Sequence, residues 1–135
     1  MCILVNLFRI RQKDPQKKKN TKKFKELQKL IKEKKYDQAL NRGIEYLQNV
    51  SENHDVLFIV GGIYYMKNKH HTAISYFEKA LEIGPYDTEV LILKANAHYK
   101  IGQNKRAIQC CDKIKEIDPK NNAVAELLTK LDSSK

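Results

Sequence analysis

Four groups of residues in this chain have side chains able to do chemistry: adjacent His70-His71, adjacent Cys110-Cys111, the single His98, and the tract Lys17-Lys18-Lys19 with Lys22-Lys23. A metal site would need imidazoles or thiolates converging on one ion. Neighbours on a helix point about 100° apart, whereas zinc sites use spaced pairs such as Cys-x2-Cys. Neither doublet is therefore expected to chelate, and no metal or other cofactor is expected. Catalysis needs a nucleophile, or a paired acid and base, held in a pocket. The chain has no Gly-rich phosphate loop, no Gly-x-Ser-x-Gly elbow and no paired-carboxylate motif. We read it as not an enzyme, with no catalytic residue. Cys111 is expected to face inward and Cys110 to be a surface thiol. His98 is expected to be packed and hydrogen-bonded.

The lysines could hold phosphates of a nucleic acid or of an anionic membrane surface. Residues 1–35 carry 13 Lys and Arg against 3 Asp and Glu, which is the whole of the formal net charge of +10. The remaining residues are balanced and show no basic face. Lys17, Lys18, Lys19, Lys22 and Lys23 have no interleaved aromatic or arginine platform for stacking bases. A solvated linker, or the start of a first helix, is the competing reading. Ahead of the tract, Met1–Ile10 has an apolar tip. It is not read as a secretory signal, because no positive charge precedes it and no small-residue cleavage site follows. A mobile tail, a segment docked on the protein itself and a weak membrane-surface anchor stay open. No stretch approaches the 18 or more apolar residues of a membrane span. Three cysteines, two of them adjacent, give no disulfide framework, and a reducing, cytoplasmic location is expected.

The elements that must position these residues follow from a 34-residue period. Ala73 and Ala107 are one period apart, as are Pro85 and Pro119. Within the period, Phe58, Val60, Ile63 and Tyr64 follow Leu57 at helical spacing, and Ile74, Phe77, Ala80 and Leu81 follow Ala73 likewise. Met66–His71 is short and polar, as a turn between antiparallel helices should be. Gly61 and Ala73 are small where two helices would cross closely. Gly84-Pro85 closes the second helix, the glycine suited to a left-handed cap. The same reasoning predicts helices over Phe24–Lys35, Tyr36–Val50, Thr88–Lys100, Lys105–Ile117 and Ala123–Leu131. Asp87 is expected to cap the third of these, and Asn121 or Asn122 the last. Helical repeats of this length stack, because each hairpin needs a neighbour to cover its apolar face.

Residues 54–87 resemble the tetratricopeptide repeat family: Leu57, Val60-Gly61, Tyr64, Ala73, Phe77, Ala80 and Pro85 reproduce its pattern. In 88–121, Leu91, Ala95, Ala107, Ile114 and Pro119 fit, while Lys94, His98 and Cys111 replace a Leu, a Tyr and an aromatic residue. Residues 20–53 are similar to a degenerate first repeat, with Gly43 where Phe is expected and Ser51 where Pro is. The resemblance implies an all-α, right-handed superhelical stack of antiparallel hairpins. It would comprise a basic, irregular segment (1–19), three repeats (20–53, 54–87, 88–121) and a capping helix with a tail (122–135).

By that resemblance, the first helix of each repeat lines a concave groove. The positions carried over are Asp55, Phe58, Ile59, Gly62, Tyr65 and Met66, then Glu89, Ile92, Leu93, Asn96, Tyr99 and Lys100. The partner-binding residues expected are Phe58, Ile59, Gly62, Tyr65, Ile92, Leu93, Asn96 and Tyr99. They imply a non-catalytic module that takes a peptide or helix of a partner protein, unless the chain's own apolar segments fill the groove. The alternative is an adaptor tethered to anionic lipid or nucleic acid by its lysines. Family members that hold the carboxylate tail of heat-shock chaperones use Lys and Asn, then Asn, then Lys and Arg. Here those positions are Phe24, Gln28, Ile59, Glu89 and Leu93, so a chaperone tail is not the expected ligand.

Overall fold

The structure, a computed structural model, describes residues 18–133. Among them the apolar spacing resolves into seven helices and no strand: α1 (Lys18–Lys32), α2 (Tyr36–Asn49), α3 (His54–Met66), α4 (His70–Ile83), α5 (Thr88–Lys100), α6 (Asn104–Ile117) and α7 (Asn122–Ser133). The expected all-α stack is what the chain forms.

One device closes all three hairpins and recurs every 34 residues. Lys34, Asn68 and Gly102 take positive φ, at 59°, 62° and 78°. The next amide in each case reaches back five residues: Lys35 to Leu30 O, Lys69 to Tyr64 O and Gln103 to His98 O, at 2.8, 2.9 and 2.8 Å. These are Schellman closures, which satisfy the last carbonyls of a helix while reversing the chain. Only Gly102 adopts the left-handed form without a Cβ penalty. The closure corrects two expectations. α1 begins earlier than Phe24 and stops at Lys32, because Lys34 turns the chain. His70 and His71 open α4, since the turn needs only Lys67–Lys69.

The odd-numbered helices after α1 begin with side-chain caps. Asn53 Oδ1 accepts from the Val56 amide at 3.0 Å, Asp87 Oδ1 from Glu89 and Val90 at 3.0 and 3.3 Å, and Asn121 Oδ1 from Val124 at 3.2 Å. Each cap satisfies amides that have no partner within the helix. No side-chain cap starts α2, α4 or α6. Gly84, expected in a left-handed cap, instead has φ −124° and ψ 79°. Its smallness serves an approach: a Cβ there would lie 3.0 Å from the His54 ring.

Consecutive helices pack, and the core lies in two contiguous clusters. The first runs from Phe24, Leu27 and Ile31 through Val56–Val60 and Phe77 to Val90 and Leu93. The second joins Leu91, Ala95, Ala107, Cys111 and Ile114 to Val124, Leu127 and Leu131 of α7. Leu81 packs against both. α7 thus covers the last hairpin's apolar face, as the end of an open stack requires.

Two glycines permit the closest crossings. A Cβ at Gly43 would lie 2.7 Å from Val60 Cγ2, so α3 rests on the α2 backbone where a Phe was the family expectation. A Cβ at Gly61 would lie 2.7 and 2.8 Å from the fully buried Phe77 ring. Gly61→Ala sets a helix-propensity gain of about 1 kcal/mol against an overpacking cost of about 1–3 kcal/mol. We expect a net loss of roughly 1 kcal/mol in urea unfolding. Pairing it with Phe77→Leu should cost less than the two separate changes added together. A raised midpoint for Gly61→Ala would show that the ring yields freely.

Candidate functional site

α3 and α5, the helices that carry the two expected rows of binding residues, touch; Tyr65 packs against the first core, and Ile92 and Tyr99 against the second. The eight residues divide by depth. Phe58, Ile59 and Leu93 are 5%, 0% and 3% exposed, and Gly62 is buried with them. They belong to the core: the Phe58 ring lies 6.4 Å from that of Phe77, tilted 45°. Tyr65, Ile92, Asn96 and Tyr99 are half-buried and form the accessible part of the row. Tyr65 stands edge-on to His70, centroids 5.2 Å apart. Burial pushes its phenol pKa up and that of the His70 imidazole down. Asn96 Nδ2 donates to Ile92 O at 2.8 Å, so its amide is turned onto its own helix.

The starts of α3 and α5 are joined by a contact that periodicity does not announce. His54, the first residue of α3, lies between two carboxylates, Nδ1 3.4 Å from Asp55 Oδ1 and Nε2 3.2 Å from Asp87 Oδ2. Asp55 is the larger influence and Asp87 the closer contact. Together they outweigh burial and raise the imidazole pKa to about 9, so His54 is charged at neutral pH. Burial acts to raise the Asp87 carboxyl, but His54 and the Val90 and Glu89 amides outweigh it, and the net shift is downward. One carboxylate therefore caps α5 and also ties its start to the start of α3. The bare backbone of Gly84 leaves room for the ring. A histidine opening one repeat and an aspartate just before the next are the only traces of this contact in the sequence.

The chemistry-bearing residues of the third hairpin are buried. His98 is 3% exposed, and its Nδ1–H donates to Gln103 Oε1 at 2.7 Å. Burial lowers its pKa and, with Lys94 and Arg106, outweighs the opposing pull of the Gln103 hydrogen bond, so the net shift is downward and favours the neutral ring. Cys111 is fully buried as expected, but Cys110, expected at the surface, is also buried, because it packs with Leu91 in the second core. Burial pushes both thiols up, Cys111 to about 11, which removes the thiolate that reactivity would need.

Of the lysine tract, Lys22 and Lys23 are exposed on α1, and Lys18 and Lys19 lie in its first turn. Lys17 and the apolar tip Met1–Ile10, with the readings attached to it, lie outside the described residues. Among the described residues, no group of three His, Cys, Asp or Glu side chains could hold a metal ion. None of their helices is long and apolar enough to cross a membrane.

Comparisons with known proteins place this geometry. The profile of the tetratricopeptide repeat family matches residues 64–131, half of the chain. Among solved structures, the first such domain of Spaghetti (RPAP3), bound to the HSP90 peptide SRMEEVD, is 18% identical. Its match covers 82% of this chain and 87% of that one, with a TM-score of 0.76. The Arabidopsis OM64 domain is 15% identical over 81% of this chain and 90% of that one, TM-score 0.74. The first domain of human RPAP3, determined by NMR, is 18% identical over 82% and 87%, TM-score 0.73. At such identities these likenesses carry the fold alone. A search of curated proteins finds no match.

The His54 contact makes stability depend on pH in a defined direction. Its pKa is 6.5 without the contact and about 9 in the fold, so the folded chain holds the proton more tightly. The stabilisation is complete below about 6.5 and is lost as pH rises through 9. Asp87 acts oppositely: its depressed pKa stabilises above the ordinary value of 3.8 and is lost as pH falls below it. Allowing for solvent screening of the half-buried ring, urea unfolding should weaken by on the order of 1–2 kcal/mol between pH 6.5 and 9.5. His54→Gln should flatten that alkaline limb. Parallel profiles for the two proteins would mean that the pair does not link the helices.

Proposed function

Because the chain belongs to the tetratricopeptide repeat family, whose domains are protein–protein interaction modules, we propose that it binds a peptide or helix of a partner protein along the α3–α5 row. The observation that carries this reading is that Tyr65, Ile92 and Tyr99 are half-buried on two touching helices. Tyrosine suits such a place, because its ring supplies apolar area and its hydroxyl an exchangeable hydrogen bond. Phe58, Ile59, Gly62 and Leu93 are buried on the same two helices. Fixed in the core, they hold the row rigid, which lowers the entropy lost on binding. Asn96 can turn from the Ile92 carbonyl to a partner's backbone.

The peptide held by the Spaghetti (RPAP3) domain, SRMEEVD, is acidic. The positions that the family uses to clamp a chaperone tail are here Phe24, Ile59 and Leu93, all buried and apolar, with Gln28 and Glu89. This set favours an apolar partner segment over an acidic one. No step in this reading makes or breaks a covalent bond.

Tyr65→Ala and Tyr99→Ala test the reading. Each should lower co-purification of partner proteins from cell extract by about tenfold, the loss expected at an aromatic anchor. Tyr86→Ala, at a residue 74% exposed in the α4–α5 turn, should leave recovery unchanged. Equal recovery by all three variants, with unaltered melting, would remove the row from consideration.

A further inference from the structure

The three hairpins treat one location differently. At positions related by 34 residues, the first hairpin has Glu26, Leu30 and Arg42, the second Val60, Tyr64 and Tyr76, and the third Lys94, His98 and Cys110. In the first, Arg42 Nε bridges to Glu26 Oε1 at 3.6 Å. In the second, Tyr64 and Tyr76 stack with centroids 5.6 Å apart. In the third, an imidazole and a thiol, both smaller than a phenol, stand where the two rings would meet. A cleft of about 770 Å³ opens there between α4, α5 and α6, within the range of about 300–1,000 Å³ usual for small-ligand sites.

We propose that this cleft binds a small, doubly charged oxyanion of the phosphate-monoester class. Its walls carry Lys94, Lys105, Arg106 and Lys113, with Glu78 and Glu82 on the α4 side. Lys94 Nζ is 3.7 Å from Glu78 Oε2, so those two charges offset each other. Among the described residues, Lys105, Arg106 and Lys113 have no carboxylate partner within ion-pair distance, and Glu82 is the one lining acid left against them. The balance is two positive charges. His98 is neutral and Cys110 is a thiol, so neither adds charge to the lining.

The guanidinium of Arg106 can meet two oxygens of a phosphate at once, and the lysines serve as point charges around it. Glu82 and Gln109 offer acceptors to hydroxyl groups on the rest of such a molecule. The cleft uses the Leu91, Lys94 and His98 stripe of α5, well around the helix from Ile92, Asn96 and Tyr99. The proposal is therefore independent of the partner-binding row.

Amide chemical shifts of the full chain, titrated with glycerol 3-phosphate, test it. Saturable shifts are expected at residues 78–82, 94–98 and 105–113, with none from glycerol or from chloride at matched ionic strength. Arg106 and Lys113 are exposed, so Arg106→Ala and Lys113→Ala should fold, and spectra outside the cleft check this. Each should weaken binding by about tenfold. Equal shifts with chloride, shifts that also spread to Lys22 and Lys23, or undiminished binding by both variants would each overturn the assignment.

Discussion

The buried Phe77 ring lies against the bare backbone of Gly61, and the stack depends on that crossing. A single helical hairpin cannot bury enough apolar surface to fold alone, so the second hairpin must be both tightly closed within itself and covered on both sides. Phe77 and Gly61 provide the internal closure. Gly43 lets α3 settle on α2, while Leu81 reaches from the first core into the second. Among the described residues, the central hairpin is the one packed against a hairpin on each side.

The hairpins on either side fill the equivalent location in different ways. At the positions equivalent to Gly61 and Phe77 the first hairpin has Leu27 and Gly43 and the third has Ala95 and Cys111, and in the first it is Val60 of α3 that meets the bare Gly43. Bulk lost on one helix of the second hairpin is supplied by its partner. The third hairpin is small on both helices and compensates with α7, whose Val124, Leu127 and Leu131 are buried in its core. A terminal helix here completes a core as well as presenting a polar outer surface. The opening between α4, α5 and α6 arises on the side that α7 does not repair.

α5 is consequently used on several faces. Leu91 and Ala95 join the second core, Val90 and Leu93 the first, and Asp87 ties its start to His54. Half-buried Ile92, Asn96 and Tyr99 face one way and Lys94 another. Its first turn is held by a cap that is itself one side of an ion pair, so the register of α5 against α3 is electrostatic at one end and apolar along its length.

Period and pattern were enough to determine the stack of hairpins, their order, the cap at Asp87, the inward Cys111 and the closing helix, while the last cap was narrowed to Asn121 or Asn122 and the structure places it at Asn121. Each is a local or nearest-neighbour property: helical spacing, a capping oxygen three residues from its amide, a repeat that needs a neighbour. Gly61 at a crossing was legible for the same reason. Depth was not. Phe58, Ile59 and Leu93 occupy positions that a family register assigns to a groove, yet burial depends on what surrounds a side chain in three dimensions. Cys110 looked like a surface thiol for the same reason. The ion pair of His54 with Asp87 and the role of Gly84 as space for a ring join the two ends of one repeat, and the cleft beside Lys94 joins residues of two. A 34-residue period describes what repeats have in common, whereas these features come from how unlike side chains meet once the repeats are packed, and tertiary structure alone decides that.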